Sequence, residues 1–174
     1  MTDLRYPVGR HTPVTELTPD QRADCIAQIA EAPARLRRAV AGLDERQLDT
    51  PYRSEGWTVR QVVHHLPDSH LNAYARFKLA LTEERPTIKP YDQARWAATP
   101  EMGAPIEVSL ALLTALHERW VLLLRGMGPA EFGRSLHHPE SGILTLDGMV
   151  AMYAWHGRHH AAHITGLRER MGWR

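Results

Sequence analysis

Four histidines, His156, His159, His160 and His163, fall within eight residues of the stretch MYAWHGRHHAAHITGL. Imidazole binds divalent metals, carries protons and titrates near neutral pH, so such a cluster could hold an ion, move a proton or sense pH. With 11 histidines in 174 residues, about 0.7 pairs at i,i+4 would arise by chance. One pair therefore says little; four histidines in two turns say more. Advancing the segment by about 100° per residue gathers Leu146, Met149, Val150, Tyr153, Ile164, Leu167 and Met171 on one face. His160 falls near the middle of that face and His156 within about 60° of it. His159 lies well outside it and His163 at its margin. Two imidazoles one turn apart on a core-facing stripe can share one ion. Left unpartnered in an apolar interior they would be costly. The pair is only half a site, and ordinary hydrogen bonding in the core is the competing reading.

A third ligand must come from elsewhere, and HHLPDSH offers His64, His65 and His70. A straight helical projection centres its apolar face on Val62, Leu66, Ala73 and Phe77. His70 lies nearer that centre, His65 at its edge, and His64 faces away. Spacing alone favours His70, but Pro67 should kink the helix here and distort the projection. Asp68, one turn from His64 and His65, could orient a ring, although a solvated carboxylate is the commoner case. His159 and His163 are candidates for the same supporting role. Trp57, Trp120 and Trp155 read as core packing. Arg53, Arg60 and Arg76 read as solvated side chains, and Cys25 as a buried core thiol. The sequence contains no His-Glu-x-x-His, no Cys-x-x-Cys, no paired Glu-x-x-His and no Gly-rich phosphate loop.

The elements that must hold these residues are helices. Residues 1–17 are rich in Pro and Gly and read as an extended arm. Thr18-Pro19-Asp20 opens a helix, with Thr18 as N-cap and Pro19 at its first position; it runs to about Leu43, and Pro33 should kink or break it. A second helix begins at Thr58, where Thr58 and Gln61 make a capping box, and runs to about Leu81. Pro67 there removes the amide that would bond the carbonyl of Val63. Thr82 to Pro105 is a long crossover holding four prolines. A third helix runs from about Ile106 to Met127, a possible short hairpin lies within Phe132–Thr145, and a fourth helix runs from Leu146 to Met171, capped by Thr145. The expected fold is all-α: a single four-helix-bundle domain over residues 1–174.

The 21 basic and 20 acidic residues nearly cancel, which gives no electrostatic case for nucleic acid or an anionic membrane surface. A lone cysteine suits a reducing compartment. The expectation is a cytoplasmic protein without a signal peptide or membrane span.

Three stretches together resemble the DinB/YfiT-like family, specifically its YfiT branch: LRYPVGR, LDTPYRSEGWTVRQVVHHLPDSHLNAYARFKLALTEERPTIKPYD and MYAWHGRHHAAHITGLRERMGW. The resemblance covers nearly the whole chain. It implies a four-helix bundle carrying one divalent metal ion, zinc or nickel, and often a homodimer. It places the ligands at His65, the histidine directly before the leucine of HHL, and at His156 and His160, and so overrules the lean to His70. Pro67 departs from the small residue usual in the family. The branch carries the label of metal-dependent hydrolases, while some relatives transfer a low-molecular-weight, bacillithiol-like thiol to electrophiles. A three-histidine site with open positions suits both chemistries, and the general base stays unassigned. The resemblance thus implies a small-molecule thiol with an electrophile, or a hydrolysable substrate, as partners. A non-catalytic metal-binding module of stress response is the alternative from another class.

Overall fold

The computed structural model describes residues 3–173; Met1 and Thr2 of the expected arm, and Arg174, lie outside the described residues. Four long helices form the bundle: α1 (Pro19–Val40), α3 (Val59–Thr82), α5 (Ile106–Gly126) and α7 (Leu146–Met171). Between them lie three one-turn helices, α2 (Glu45–Leu48), α4 (Gln93–Trp96) and α6 (Pro129–Phe132), and a 3-10 turn at Pro100–Gly103. An antiparallel hairpin pairs β1 (Ser135–His138) with β2 (Gly142–Thr145), with Leu136 opposite Leu144. The hairpin falls where the Pro139–Gly142 turn signal places it.

The N-caps follow the sequence signals. Thr18 and Thr58 each close a capping box with a glutamine three residues on, and Thr145 accepts from the amide of Gly148. The first helix stops at Val40, short of Leu43, because Ala41 leaves helical geometry and Gly42 takes a left-handed φ of 75°. Neither Pro33 nor Pro67 breaks its helix; α1 and α3 each run on through the proline. The expected long crossover is no featureless loop. Asp92 caps α4 through two amides, and Ile88 bonds the backbone of His137, which ties the crossover to the hairpin.

Around the bundle, α1 packs on α7 and α5, and α3 packs on α5 and α7. Successive long helices α1 and α3 are therefore diagonal, as are α5 and α7. The core has two apolar halves. One gathers Ile29, Phe77, Trp120, Leu124, Leu146 and Tyr153; the other gathers Leu36, Val62, Leu66, Leu113, Ile164 and Leu167. On each helix the change from one half to the other falls at a distinctive residue: Pro33 on α1, His70 on α3, His117 on α5 and the His156–His163 cluster on α7. A belt of buried imidazoles thus crosses the middle of the bundle. No helix among the described residues is long and apolar enough to cross a membrane.

The N-terminal segment runs antiparallel along α7. Leu17 donates its amide to Asp147, Thr145 donates to the carbonyl of Thr15, Trp155 donates to that of Gly9, and His163 to that of Arg5. Asp147 also accepts from two Arg22 nitrogens, Nε and Nη2, at 2.6 and 2.7 Å, in a part-buried ion pair that fixes the arm's root to α1.

Candidate metal centre

His65 on α3 and His156 and His160 on α7 converge where these two helices pack. Each offers a ring nitrogen, and the three nitrogens lie within 4.8 Å of one another. The His65 ring centroid is 5.4 Å from that of His156 and 4.9 Å from that of His160, and the two α7 rings are 4.5 Å apart. His65 is 3% exposed, and its Nε2 is buried with no hydrogen-bond partner among the described residues. Such an orphan costs about 1–3 kcal/mol, which an electron-pair acceptor placed among the three rings would offset. Burial holds the His65 ring at a pKa of about 4 and pushes those of His156 and His160 well below the usual imidazole value. All three are therefore neutral at pH 7 and present lone pairs, the form in which imidazole binds a cation. The donor set fits a borderline divalent ion such as zinc or nickel, with positions left over for other molecules.

The remaining sequence candidates divide. His70, favoured by spacing alone, is fully buried but turned away from this convergence: its Nε2 lies 3.0 Å from His156 Nδ1 and its Nδ1 lies 2.7 Å from His117 Nε2. His64 was expected to face away from the core, yet it is buried. Its Nε2–H donates to the carbonyl of Ala104, and its Nδ1 accepts from the Ser109 hydroxyl at 2.6 Å, joining α3 to the start of α5. Asp68 orients neither neighbour. Among the described residues no hydrogen bond joins its carboxylate to His64 or His65, because His64 is already satisfied by Ser109 and Ala104. Burial, reinforced by the nearby Glu101 carboxylate, lifts the pKa of Asp68 to about 6.

His159 is buried, contrary to the helical projection, and His163, which the projection set at the margin, is buried too; the arm and Tyr52 help cover this face of α7. Trp155 stacks on His159 at 4.2 Å, Tyr6 lies against the same ring, and Tyr52 stacks on His163 at 4.0 Å. With His160 they form a second group whose nitrogens lie within 4.8 Å of one another.

Of the three tryptophans read as core packing, Trp120 is fully buried, whereas Trp57 lies over His65 at 4.6 Å and Trp155 lines the site. Arg60 is not a solvated side chain: it is 6% exposed and held by Asp49 and Glu45. Cys25 is half-buried rather than enclosed.

Two cavities reach the histidines. One, of about 420 Å³, is walled by Tyr6, Tyr52, Arg53, Trp57 and Trp155 and floored by His156, His160 and their neighbours. The other, of about 570 Å³, is walled by Ser69, Arg76, Tyr91, His138 and Tyr153 and also ends at His156. Gln93 of α4 lines both. Sequence reasoning passed over Tyr6, Tyr52, Gln93 and His117. Only His117 left a trace, as a polar residue inside the Leu113-Leu116-Trp120 stripe.

The comparisons with known proteins agree with this architecture. A protein of Bacillus mycoides (strain KBAB4) named "Putative metal-dependent hydrolase" is 54% identical over 99% of this chain and 100% of its own. A protein of the same name from Bacillus cereus (strain 03BB102) is 51% identical over the same spans. Among solved structures, YfiT from Bacillus subtilis, described as a probable metal-dependent hydrolase with an unusual four-helix bundle topology, superposes with a TM-score of 0.97 at 48% identity, covering 99% of this chain and 100% of that one. The four-helix bundle protein TT2238 shares the fold alone, with a TM-score of 0.56 at 18% identity over 80% of this chain and 94% of its own. The model of the DinB superfamily matches residues 28–164, and the chain belongs to that superfamily.

Proposed function

We propose that this chain is a metal-dependent enzyme in which His65, His156 and His160 hold one divalent cation, zinc or nickel. The observation that carries the reading is the convergence of three neutral imidazoles, with His65 and His160 buried and His156 half-buried, together with the orphaned Nε2 of His65. A cation held there would lower the pKa of a thiol or a water molecule brought to its open positions.

The reaction we favour is transfer of a low-molecular-weight thiol to an electrophile. Two cavities share only His156 and Gln93 among their walls, an arrangement suited to two organic partners meeting at one point. In that reaction the thiol sulfur bonds to the electrophilic carbon, the leaving group departs with its electron pair, and the thiol proton passes to solvent. The chain's own part is to hold the partners at the proper distance and keep bulk water away. Tyr52, Trp57 and Trp155 supply flat apolar walls, and Arg53 and Arg76 supply charge, one to each cavity. Hydrolysis by the same centre is the second reading. It is favoured by what the relatives are named and needs only one organic substrate.

Metal content of untagged protein, followed by turnover of an electrophile panel with and without added thiol, tests both. Turnover that requires thiol supports transfer, and turnover by water alone supports hydrolysis. A metal content near zero that added zinc or nickel does not restore would overturn the whole reading. We treat the homodimer as part of this proposal, to be checked by light scattering.

A further inference from the structure

The hydrogen bonds behind His156 run in a line away from the metal centre. His156 Nδ1 meets His70 Nε2 at 3.0 Å, His70 Nδ1 meets His117 Nε2 at 2.7 Å, and His117 Nδ1 meets the backbone carbonyl of Ile29 at 2.6 Å. The line ends at a carbonyl with an unusual history. In α1 the amide that would bond Ile29 belongs to residue 33, and residue 33 is proline. Pro33 therefore leaves the Ile29 oxygen without its helical donor, and the His117 ring fills the vacancy.

A carbonyl can only accept, so the direction of every bond in the line is set from this end. His117 must carry its proton on Nδ1. At 1% exposure and with no carboxylate beside it among the described residues, the ring is neutral, so its Nε2 is a bare lone pair. That lone pair takes the Nδ1–H of His70, which is fully buried. His70 Nε2 in turn takes the Nδ1–H of His156. The opposite order would set the lone pair of His117 Nδ1 against the Ile29 oxygen at 2.6 Å, an uncompensated repulsion.

We propose that His70 and His117, anchored on the carbonyl freed by Pro33, are positioning residues that lock His156 in the Nδ1–H tautomer with its Nε2 lone pair directed to the metal centre. The proposal rests on the metal reading above and adds the residues that set its geometry. Metal-bound histidines generally donate their second N–H to a carboxylate, carbonyl or water. Here two further imidazoles transmit that role across the bundle, from α7 through α3 and α5 to α1. The arrangement also explains why a histidine at the centre of α3's apolar face is not itself among the converging three.

The test begins with the full-length, metal-free protein labelled with ¹⁵N. Long-range ¹H–¹⁵N correlation should find His156, His70 and His117 all protonated on Nδ1 and bare on Nε2. A proton on Nε2 of His156 overturns the proposal without any variant being made. Zinc affinity measured by competition with a chelating dye gives the second readout. His70→Leu should bind zinc roughly 10–100-fold more weakly, with the His156 tautomer no longer unique. His70→Gln, whose amide can accept from His156 and donate to His117, should recover most of the affinity. Zinc bound equally well by the wild type and a folded His70→Leu overturns the relay alone, whereas no zinc binding by the wild type overturns the metal reading itself.

Discussion

Gly148, in the first turn of α7, lies directly beneath the carbonyl oxygen of Val14, so close that a Cβ at this position would overlap that oxygen. The contact lies beside the bonds from Thr145 to Thr15 and from Leu17 to Asp147 that seat the arm. A residue that would ordinarily weaken a helix interior by about 1 kcal/mol relative to alanine is here the condition for close approach of the arm. Gly148→Ala is therefore expected to lift the arm while leaving the bundle folded. Trypsin should cut after Arg5 and Arg10 faster than in the wild type, and the rings of His159 and His163 should gain exposure. Equal cleavage rates would show that the arm tolerates the extra carbon.

The root of the arm depends on Asp147, which is 2% exposed and serves Arg22 and the Leu17 amide together. Removing one partner of a buried pair costs about 3–5 kcal/mol, much of it from the charge left behind. Arg22 retains some contact with solvent and lies over the Phe132 ring, so Asp147→Ala is expected at the lower end, about 3 kcal/mol. Denaturant unfolding of the metal-free protein measures it. A loss below about 1 kcal/mol would mean the pair behaves as a surface bridge.

How far the sequence led can be seen in individual residues. Helical period alone put His156 and His160 on the core face, because the relevant packing is between helices. His159 defeated the same wheel, and His163, which it set at the margin, is buried as well. What buries them is an irregular segment more than a hundred residues away in sequence, and no periodicity reports a chain lying across a helix. His64 was misjudged for a related reason: its partners, Ala104 and Ser109, sit where the crossover turns into α5. His65 rested on family resemblance, since its ring lies at the edge of the apolar stripe. Pro33 was visible as an interruption, and its freed carbonyl follows from the chemistry of proline. Which side chain would use that oxygen depended on the packing of α1 against α5.

Asp68 gives a prediction with a definite sign. Its pKa rises from 3.8 to about 6, chiefly through burial and secondly through Glu101. A carboxyl with a raised folded-state pKa binds a proton more readily folded than unfolded. The folded state is thus favoured most below pH 4, and that advantage is lost as pH rises through 6. Asp68→Asn should then raise the thermal midpoint at pH 7 and make little difference at pH 4. A lower midpoint at pH 7 would mean the ionised carboxylate has a favourable partner.

The imidazole belt shifts stability in the opposite direction. Burial holds His117 at about 4, against 6.5 for an exposed ring, and lowers His65, His70, His156 and His160 in the same sense. Between pH 6.5 and 4 the unfolded chain takes up protons that the folded chain refuses, so stability is present above 6.5 and falls with pH through this window. At about 1.4 kcal/mol for each pH unit, His117 alone accounts for roughly 3 kcal/mol across it, a large share of what a domain of this size possesses. The metal-free protein is therefore expected to unfold near pH 5. Urea midpoints taken at pH 8, 7.5, 5.5 and 5 should be nearly level between the first two and drop steeply afterwards. Replacing His117 by leucine should flatten the acid limb by about one proton, whatever it does to stability at pH 8. A profile level down to pH 4.5 would mean that the buried rings find charge partners on protonation, and the neutral belt would have to be abandoned.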